Sequence, residues 1–78
     1  MGAFNMAKSD FSIHFGVRLN KYLQEYNYTH KKLSEKTGIA LRTIDNYCVG
    51  EGIPSLYHAF LIAKALDISI DDLARGYL

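Results

Sequence analysis

The chain has 78 residues, a formal net charge of +1 and hydrophobic side chains at 49% of its positions. This length predicts one domain, and a domain of this size buries only about 60% of its unfolded surface, so its stability depends on a well-filled core or a partner subunit. A single cysteine, Cys48, excludes an intrachain disulfide and is typical of a reducing compartment, so we expect a cytoplasmic protein. No long uncharged apolar run is present and the first ten residues lack an apolar h-region, so we expect neither a membrane span nor a signal peptide.

The charges are distributed unevenly along the chain. Residues 16–50 hold six basic and three acidic residues, a net charge of +3, whereas residues 51–78 hold two basic and four acidic residues, a net charge of −2. The first two thirds of the chain therefore carry the basic face. A face of this modest charge predicts modest non-specific affinity for nucleic acid.

Residues 1–9 are expected to form a disordered extension, and residues 10–78 are expected to form the domain. The first element expected in the domain is an amphipathic helix. Ser9 or Asp10 can cap this helix, and Asn27, which tolerates left-handed geometry, marks its end. Its apolar positions recur at spacings of three and four. They are Phe11, Phe15, Leu19, Tyr22 and Tyr26.

Two short helices joined by a tight turn are predicted in the stretch THKKLSEKTGIALRTIDNYCVGEGIP, which begins at Thr29. Thr29 caps a helix over 30–37, and Gly38 supplies the positive φ at which this helix stops and the chain turns. The next helix runs from about 41 to 49. This order of elements is the sequence form of a helix-turn-helix.

Two more helices are predicted in the last third of the chain. Ser55 caps a helix over 56–66, and Ser69 begins a capping motif for a helix over 70–76. The core face of the first of these is expected to contain Leu56, Phe60 or Ala59, Ala63 and Leu66. Every strong periodic pattern is helical, so the predicted fold is all-α, with five short helices around one core.

Residues 28–74, about 47 of the 78 residues, resemble the lambdoid phage repressor and Cro (Xre-like) helix-turn-helix family. The GEGIP loop and the KALDISIDDL segment match the family in addition to the turn at Gly38. The matching positions are Thr29, Leu33, Ser34, Gly38, Ile39, Ile44, Gly50, Pro54, Leu56, Ala63, Leu66, Ile68, Ile70 and Leu73. The resemblance implies a compact bundle of the lambda-repressor-like type that binds double-stranded operator DNA as a homodimer. It further implies a transcriptional regulator, a repressor rather than an activator, with the helix at about 41–49 in the major groove.

The resemblance implies that four residues of this helix, Leu41, Arg42, Thr43 and Asn46, read base edges. Arg42 can donate two hydrogen bonds to guanine O6 and N7, and Asn46 can pair with adenine N6 and N7. The side chain of Leu41 or the methyl group of Thr43 can contact a thymine methyl. The structural alternative is that Leu41 packs inward and that Arg42 is an ordinary solvated residue.

Phosphate contacts are implied at the start of the 30–37 helix and in the loop after the 41–49 helix, where backbone N–H groups can face phosphates. Thr43 and Asn46 can add to them, and a solvated surface is the alternative for Lys31, Lys32 and Lys36. The residues assigned to phosphate contact are Thr29, His30, Lys31, Val49, Gly50 and Gly52.

The chain departs from the family pattern at four positions. His30 stands where members often have Gln, and Ala40 stands where members often have a Ser or Thr cap. Leu23 and Cys48 occupy the two slots that hold an Arg–Glu pair in many members. Because two apolar residues can replace a buried ion pair without loss of stability, we expect Leu23 and Cys48 to touch in the core.

Other functional classes have weaker support in the sequence. The three histidines are scattered, Cys48 is expected to be a buried and inert thiol, and no metal-ligand spacing or cofactor motif stands out, so we expect neither an enzyme nor a metal protein. RNA is disfavoured because a recognition helix does not fit the deep groove of an RNA duplex. A protein-interaction module or an antitoxin of the same fold remains the alternative. An apolar patch for homodimerisation is conceivable at Leu73, Tyr77 and Leu78, although Leu73 could instead close the core.

Overall fold

A computed structural model describes residues 9–77, and within this range the chain forms five α-helices and no strand. The predicted extension over residues 1–9 lies outside the described residues except for Ser9, and Leu78 lies outside them as well. The helices are α1 (Asp10–Glu25), α2 (His30–Thr37), α3 (Leu41–Cys48), α4 (Leu56–Leu66) and α5 (Ile70–Ala74). The predicted all-α fold with five short helices is confirmed. None of the helices within residues 9–77 is long and apolar enough to cross a membrane.

The helices begin where the sequence places their caps. The side chains of Ser9, Thr29, Ser55 and Ser69 each accept a hydrogen bond from the backbone N–H three residues further on, which satisfies a donor that has no partner inside the helix. α3 begins after Ala40 without a side-chain cap, as expected. α3 and α5 end one and two residues earlier than predicted, which is within the usual uncertainty of helix ends.

All five helices share one core. α1 contacts α3 and α5, α2 contacts α3 and α4, and α4 contacts α5. Each helix contributes at least one fully buried apolar side chain, so the separation of any helix from the core would expose apolar surface to water. These side chains are Phe15, Leu19, Leu33, Ile44, Ile62 and Leu73.

The predicted core faces are wrong at two positions, Tyr26 and Leu56, and of the two alternatives Phe60 and Ala59 the core contains Ala59. Tyr26 follows the last residue of α1 and is exposed, and Leu23 is buried, as expected. Leu56 and Phe60 are exposed on α4, whereas Ala59, the alternative to Phe60, is buried.

The rotation of α4 explains why Leu56 and Phe60 are exposed. This helix is apolar on nearly every side, so the period of its apolar residues does not identify its core face. In the structure Ile62, Ala63 and Leu66 enter the core with Ala59, and an apolar surface remains on the outside of the helix. The same rotation brings Nδ1 of His58 to 2.7 Å from the Tyr47 hydroxyl of α3.

A stripe of three small or polar residues on α1 receives the carboxyl end of α3. Ser12, Gly16 and Asn20 are spaced four apart and therefore share one face of the helix. The Ser12 hydroxyl lies 2.8 Å from the carbonyl oxygen of Gly50, and the Asn20 amide donates a 2.8 Å hydrogen bond to the carbonyl oxygen of Cys48. We call Ser12, Gly16 and Asn20 the α1 stripe. It satisfies carbonyl groups that have no partner at the end of a helix.

Gly16 allows this close approach because it has no side chain. A Cβ atom at this position would lie 2.7 Å from the carbonyl oxygen of Tyr47 and 3.0 Å from that of Cys48. Both neighbours are backbone atoms, so a larger residue would push the two helices apart.

The buried pair expected at Leu23 and Cys48 lies in one core cluster, although direct contact between the two side chains stays a prediction. Burial, and to a smaller extent the charge of Asp45, raises the pKa of Cys48 to about 12. The thiol is therefore protonated near neutral pH, which is the state expected of an inert core cysteine.

We expect Gly16→Ala to destabilise the domain by about 1–3 kcal/mol, because the added methyl group meets backbone atoms that cannot move alone. The sign is informative: at a helix position without this contact, the same change would stabilise by about 0.5–1 kcal/mol. Urea unfolding followed by circular dichroism measures the difference. Val17→Ala, at the exposed neighbouring position, is the control and should change stability by less than about 0.5 kcal/mol. A Gly16→Ala protein that is more stable than the wild type would contradict the close approach.

We expect iodoacetamide at pH 8 to alkylate Cys48 at least about 100-fold more slowly in the folded protein than in denaturant, because the reactive thiolate is almost absent and the sulfur is buried. Mass spectrometry of timed aliquots gives both rates. Equal rates in the two conditions would show that the thiol is accessible and that its place in the core is wrong.

Candidate nucleic-acid interface

The turn between α2 and α3 is fixed by one backbone angle and two hydrogen bonds. Gly38 has φ of +79°, and a Cβ atom there would meet nothing within 4 Å, so glycine is favoured for its backbone angle and not for lack of space. The Ser34 hydroxyl donates a 2.6 Å hydrogen bond to the carbonyl oxygen of Ile39. The N–H of Ile39 in turn donates to the Thr37 hydroxyl at 3.1 Å. These contacts hold α3 at a set angle to α2.

A second connection joins the start of α2 to the middle of α3. Nδ1 of His30 lies 2.6 Å from a carboxylate oxygen of Asp45. The Thr29 hydroxyl accepts the N–H of Lys32 at 3.0 Å and so fixes the first turn of α2. A phosphate contact by the His30 ring is consequently left to Nε2.

α3 separates a buried side from a side that faces away from the core. Ile44, Tyr47 and Cys48 are buried. Of the four residues expected to read bases, Leu41 and Arg42 are exposed, and Thr43 and Asn46 are half-buried. Leu41 is 41% exposed, so it does not pack inward as the structural alternative required. Arg42 and Asn46 are spaced four apart, so a guanidinium and an amide share the side of α3 that faces away from Ile44, whereas Leu41 is exposed at the start of the helix on the side of Cys48.

The start of α3 also offers backbone donors. The carbonyl oxygen of Ala40 accepts the N–H groups of Thr43 at 3.0 Å and Ile44 at 3.1 Å. The N–H groups of Leu41 and Arg42 make no hydrogen bond within the part of the chain that the structure describes. Because Ala40 has no side-chain acceptor, these two donors can bind an anionic oxygen.

The basic surface is narrower than the charge distribution along the sequence predicts. Arg18 donates a 3.0 Å hydrogen bond from Nε to the carbonyl oxygen of Asp72, so it joins α1 to α5. The ammonium group of Lys32 lies 5.0 Å from the ring centre of Tyr28, and Lys21 pairs with the carboxylate one turn further along α1. Lys32 stays exposed beside the ring of Tyr28, so the exposed basic residues of α2 and α3 are Lys31, Lys32, Lys36 and Arg42.

The loop after α3 uses most of its backbone donors within the chain. The N–H groups of Val49, Gly50 and Glu51 donate to carbonyl oxygens of α3 at 3.2, 3.2 and 2.8 Å. A phosphate contact by the first two must compete with these bonds. The N–H of Gly52 has no hydrogen-bond partner among residues 9–77.

Ser12, Asn20 and Asp45 hold α3 in place, although the sequence did not predict a role for them. The four-residue spacing of Ser12, Gly16 and Asn20 in an otherwise apolar and charged helix is a signal that could have revealed the α1 stripe. Asp45 gave no such signal, because its partner, His30, was expected to contact phosphate.

Of the two alternatives for the C-terminal end, the described residues follow the one in which Leu73 closes the core. Leu73 is fully buried and closes the core. Tyr77 packs edge-on against Phe11, with 5.2 Å between the ring centres. The third residue, Leu78, lies outside the described range.

The sequence of this chain is similar to a known family and to a known repressor. A family model described as helix-turn-helix matches residues 19–73. The chain is 38% identical over 56 residues to the cryptic phage CTXphi transcriptional repressor RstR of Vibrio cholerae serotype O1. This match covers 72% of the chain and 50% of RstR, so the chain spans about half the length of this curated relative.

Two solved structures have a similar fold, each with 24% sequence identity. The restriction-modification controller protein C.AhdI from Aeromonas hydrophila gives a TM-score of 0.77, over 80% of this chain and 94% of that chain. The SOS-response transcriptional repressor LexA from Eubacterium rectale gives a TM-score of 0.81, over 90% of this chain and 74% of that chain. Because the family model matches more than half of the residues and the two-helix geometry is present, the chain belongs to the helix-turn-helix family.

Proposed function

We propose that the protein binds specific sequences of double-stranded DNA and acts as a transcriptional repressor. The observation that carries the proposal is the exposed surface of α3, which combines Arg42 and Asn46 on a helix whose opposite side is buried. A major groove admits such a helix, and its edges offer partners for these side chains. The similarity to RstR, which is named a transcriptional repressor, supports the repressor role.

Base reading in this proposal depends on the start of α3. Arg42 pairs with a guanine through two N–H groups, and Asn46 pairs with an adenine. Leu41 and the methyl group of Thr43 contact a thymine methyl. The exposure of Leu41 supports this assignment, since 41% of this apolar residue remains accessible in the first turn of α3.

Groups that can bind phosphate lie around the base-reading residues of α3. Lys31 of α2 and the uncapped N–H groups at the start of α3 can each bind a phosphate oxygen, and Gly52 offers a further N–H group from the loop after α3. Thr29 and His30 begin α2, where a phosphate would meet the positive end of the helix dipole. Val49 and Gly50 take part only if phosphate replaces their bonds to α3.

A homodimer completes the proposal. One α3 helix reads only a few base pairs, and two copies related by a twofold axis read two half-sites about 34 Å apart, one helical turn of DNA. The compartment that fits this role is the bacterial cytoplasm, where the chain would meet the nucleoid.

A protein-interaction module or an antitoxin of the same fold is the second candidate. The small number of exposed basic residues on α2 and α3 favours it, as does the apolar surface of α4. The family to which the chain belongs points to a regulator and not to an enzyme. Salt dependence separates the two candidates, because DNA binding releases counterions and weakens steeply as salt rises.

The test of the proposed function is selection of bound duplexes from a random DNA library, followed by titration of the winning sequence at two salt concentrations. An enriched palindromic site with salt-sensitive affinity is the expected result. No enrichment, with binding that is absent or independent of salt, would overturn the proposal and favour the interaction module.

We expect Arg42→Ala to cost about 1–3 kcal/mol of binding free energy at the selected site and to relax the preference at one base position. Arg42→Lys is the matched control: it keeps the positive charge but loses the two-pronged geometry, so the base preference should relax while the salt dependence stays. Selection and titration with each variant supply the measurement. Wild-type affinity and preference in Arg42→Ala would exclude this residue as a base reader.

We expect Lys31→Ala to weaken binding to all duplexes alike and to reduce the slope of log affinity against log salt by about one, because one phosphate contact is lost. Lys21→Ala, which removes an exposed lysine of α1, should leave both quantities unchanged, since α1 is not among the helices proposed to contact DNA and loss of the surface pair with Glu25 changes stability little. Fluorescence anisotropy at several salt concentrations gives the slopes. An unchanged slope in Lys31→Ala would place this side chain away from the DNA.

A further inference from the structure

His30 lies where the two helices of the helix-turn-helix meet. It is the first residue of α2, and its Nδ1 atom lies 2.6 Å from a carboxylate oxygen of Asp45 in the middle of α3. The side chains of His30 and Asp45 are 40% and 52% exposed, so a ligand can reach both. The Nε2 atom of His30 has no hydrogen-bond partner in the part of the chain that the structure describes. This atom is therefore free to meet a ligand.

The number of hydrogens on the imidazole ring decides which ligand Nε2 can meet. An ionised carboxylate only accepts hydrogen bonds, so Nδ1 must carry a hydrogen in order to bond Asp45. In the neutral ring the other nitrogen then carries no hydrogen and can only accept. The phosphate oxygens of DNA are also acceptors. His30 can therefore hold Asp45 and a phosphate at the same time only as the imidazolium, which donates from both nitrogens.

The charged groups around His30 leave Asp45 as its acidic partner. α2 packs against α3 and α4, and Asp45 is the one acidic residue of these two helices. Asp45 forms no ion pair with another side chain among residues 9–77. The acidic residue of α2 itself, Glu35, lies five positions after His30 and is therefore not its neighbour on the helix surface. The cationic residues of the three helices are Lys31, Lys32, Lys36, Arg42 and Lys64.

The other groups of α3 and α4 that can titrate are two tyrosines, a cysteine and a histidine. Tyr47 and Cys48 are buried, and burial raises the pKa of both, so they stay neutral near pH 7. Tyr57 is exposed on α4. Nδ1 of His58 lies 2.7 Å from the Tyr47 hydroxyl. Because histidine is the side chain that ordinarily changes charge near neutral pH, an experiment must separate His58 from His30.

We propose that the DNA-binding surface takes up one proton when it binds, and that this proton is held by His30 between Asp45 and a backbone phosphate. His30 is the phosphate contact. Asp45 is a positioning residue, which holds the ring by Nδ1 and makes the added proton necessary. A bound phosphate places a second negative group beside the ring and so favours the imidazolium. This inference rests on the proposed function and adds a regulation by pH to it.

The direction of the pH effect follows from linkage. Histidine ordinarily changes charge between about pH 5 and pH 8. Above this range the free ring is neutral and binding must add a proton, so affinity for DNA falls as the pH rises. Below this range the free ring already carries the proton, and this group no longer makes affinity depend on pH. Because linkage is reciprocal, bound DNA also strengthens the binding of the proton.

The carboxylate of Asp45, and not the histidine alone, creates the need for a proton. In Asp45→Asn the side-chain amide can donate a hydrogen bond to Nδ1 of His30. The neutral ring then keeps its hydrogen on Nε2 and can donate it to a phosphate. Asp45→Asn therefore keeps the phosphate contact and removes the dependence on an added proton.

The test measures the affinity of the full chain for a labelled duplex by fluorescence anisotropy, at about pH 6 and about pH 8 and at several salt concentrations. The probes are the duplex selected from the library and a duplex of random sequence. We expect the wild type to bind at least about five-fold more weakly at the higher pH. The slope of log affinity against log salt should also be smaller by about one there, because one phosphate contact has lost its charge.

Three variants separate His30 from the other groups that titrate. His30→Gln has a donor that is neutral at both pH values, so its affinity should be nearly the same at both. Asp45→Asn should also bind nearly alike at both, and more tightly than the wild type at the higher pH. His14→Gln is the matched control, because Nε2 of His14 on α1 bonds the carbonyl oxygen of Arg75, and this variant should keep the wild-type pH dependence. Circular dichroism at both pH values shows that each variant is folded.

The possible failures are distinguishable. Wild-type affinity that is equal at both pH values, or a pH dependence that persists in His30→Gln, would overturn proton uptake at this ring and leave the proposed function standing. An unchanged pH dependence in Asp45→Asn would overturn the positioning role of Asp45. A wild type that binds neither duplex at either pH would overturn the proposed function and this inference with it.

Discussion

The hydrogen bonds between the α1 stripe and the end of α3 are the contact on which the arrangement of the helix-turn-helix depends. A short helix is marginal by itself, and its last carbonyl groups need partners when they are buried. Asn20 and Ser12 reach the carbonyl oxygens of Cys48 and Gly50, and Gly16 lets the two backbones come close enough for both contacts. The stripe therefore fixes the rotation and the position of α3 through bonds to its backbone. These bonds do not depend on the exposed side chains of α3.

The two ends of α3 differ in their contacts with the rest of the domain, and this difference matters for the proposed binding of DNA. Its carboxyl end is held by α1 and its middle by the contact between Asp45 and His30. Its first turn, by contrast, has no side-chain cap and carries exposed residues. A missing cap costs roughly 1 kcal/mol in a helix, but it leaves two N–H groups for an anion. The fold thus supplies rigidity at one end of the helix and leaves donors for a ligand at the other.

The outer surface of α4 follows from which of its apolar side chains fill the core. This helix is apolar on nearly all sides, and burial of Ile62, Ala63 and Leu66 selects one rotation of it. Large side chains on its other side then face water. In this arrangement the hydroxyl of Tyr47, a buried residue of α3, meets His58. A domain of this size has a small core, so its stability depends on this rotation.

The sequence by itself determined the five helices, their caps and the turn at Gly38, because those features depend on residues a few positions apart. The helical spacing of Ile44 and Tyr47 also predicts the core side of α3, whereas only the structure decided that Leu41 is exposed. Only the tertiary structure decided the rotation of α4, where the apolar period is uninformative and the packing of Ile62 and Ala63 in the core selects the face. Likewise, only the structure distinguished the exposed Lys31 from Arg18, whose guanidinium bonds to α5. In both cases the deciding partner lies far away in the chain, and local patterns carry no information about such a partner.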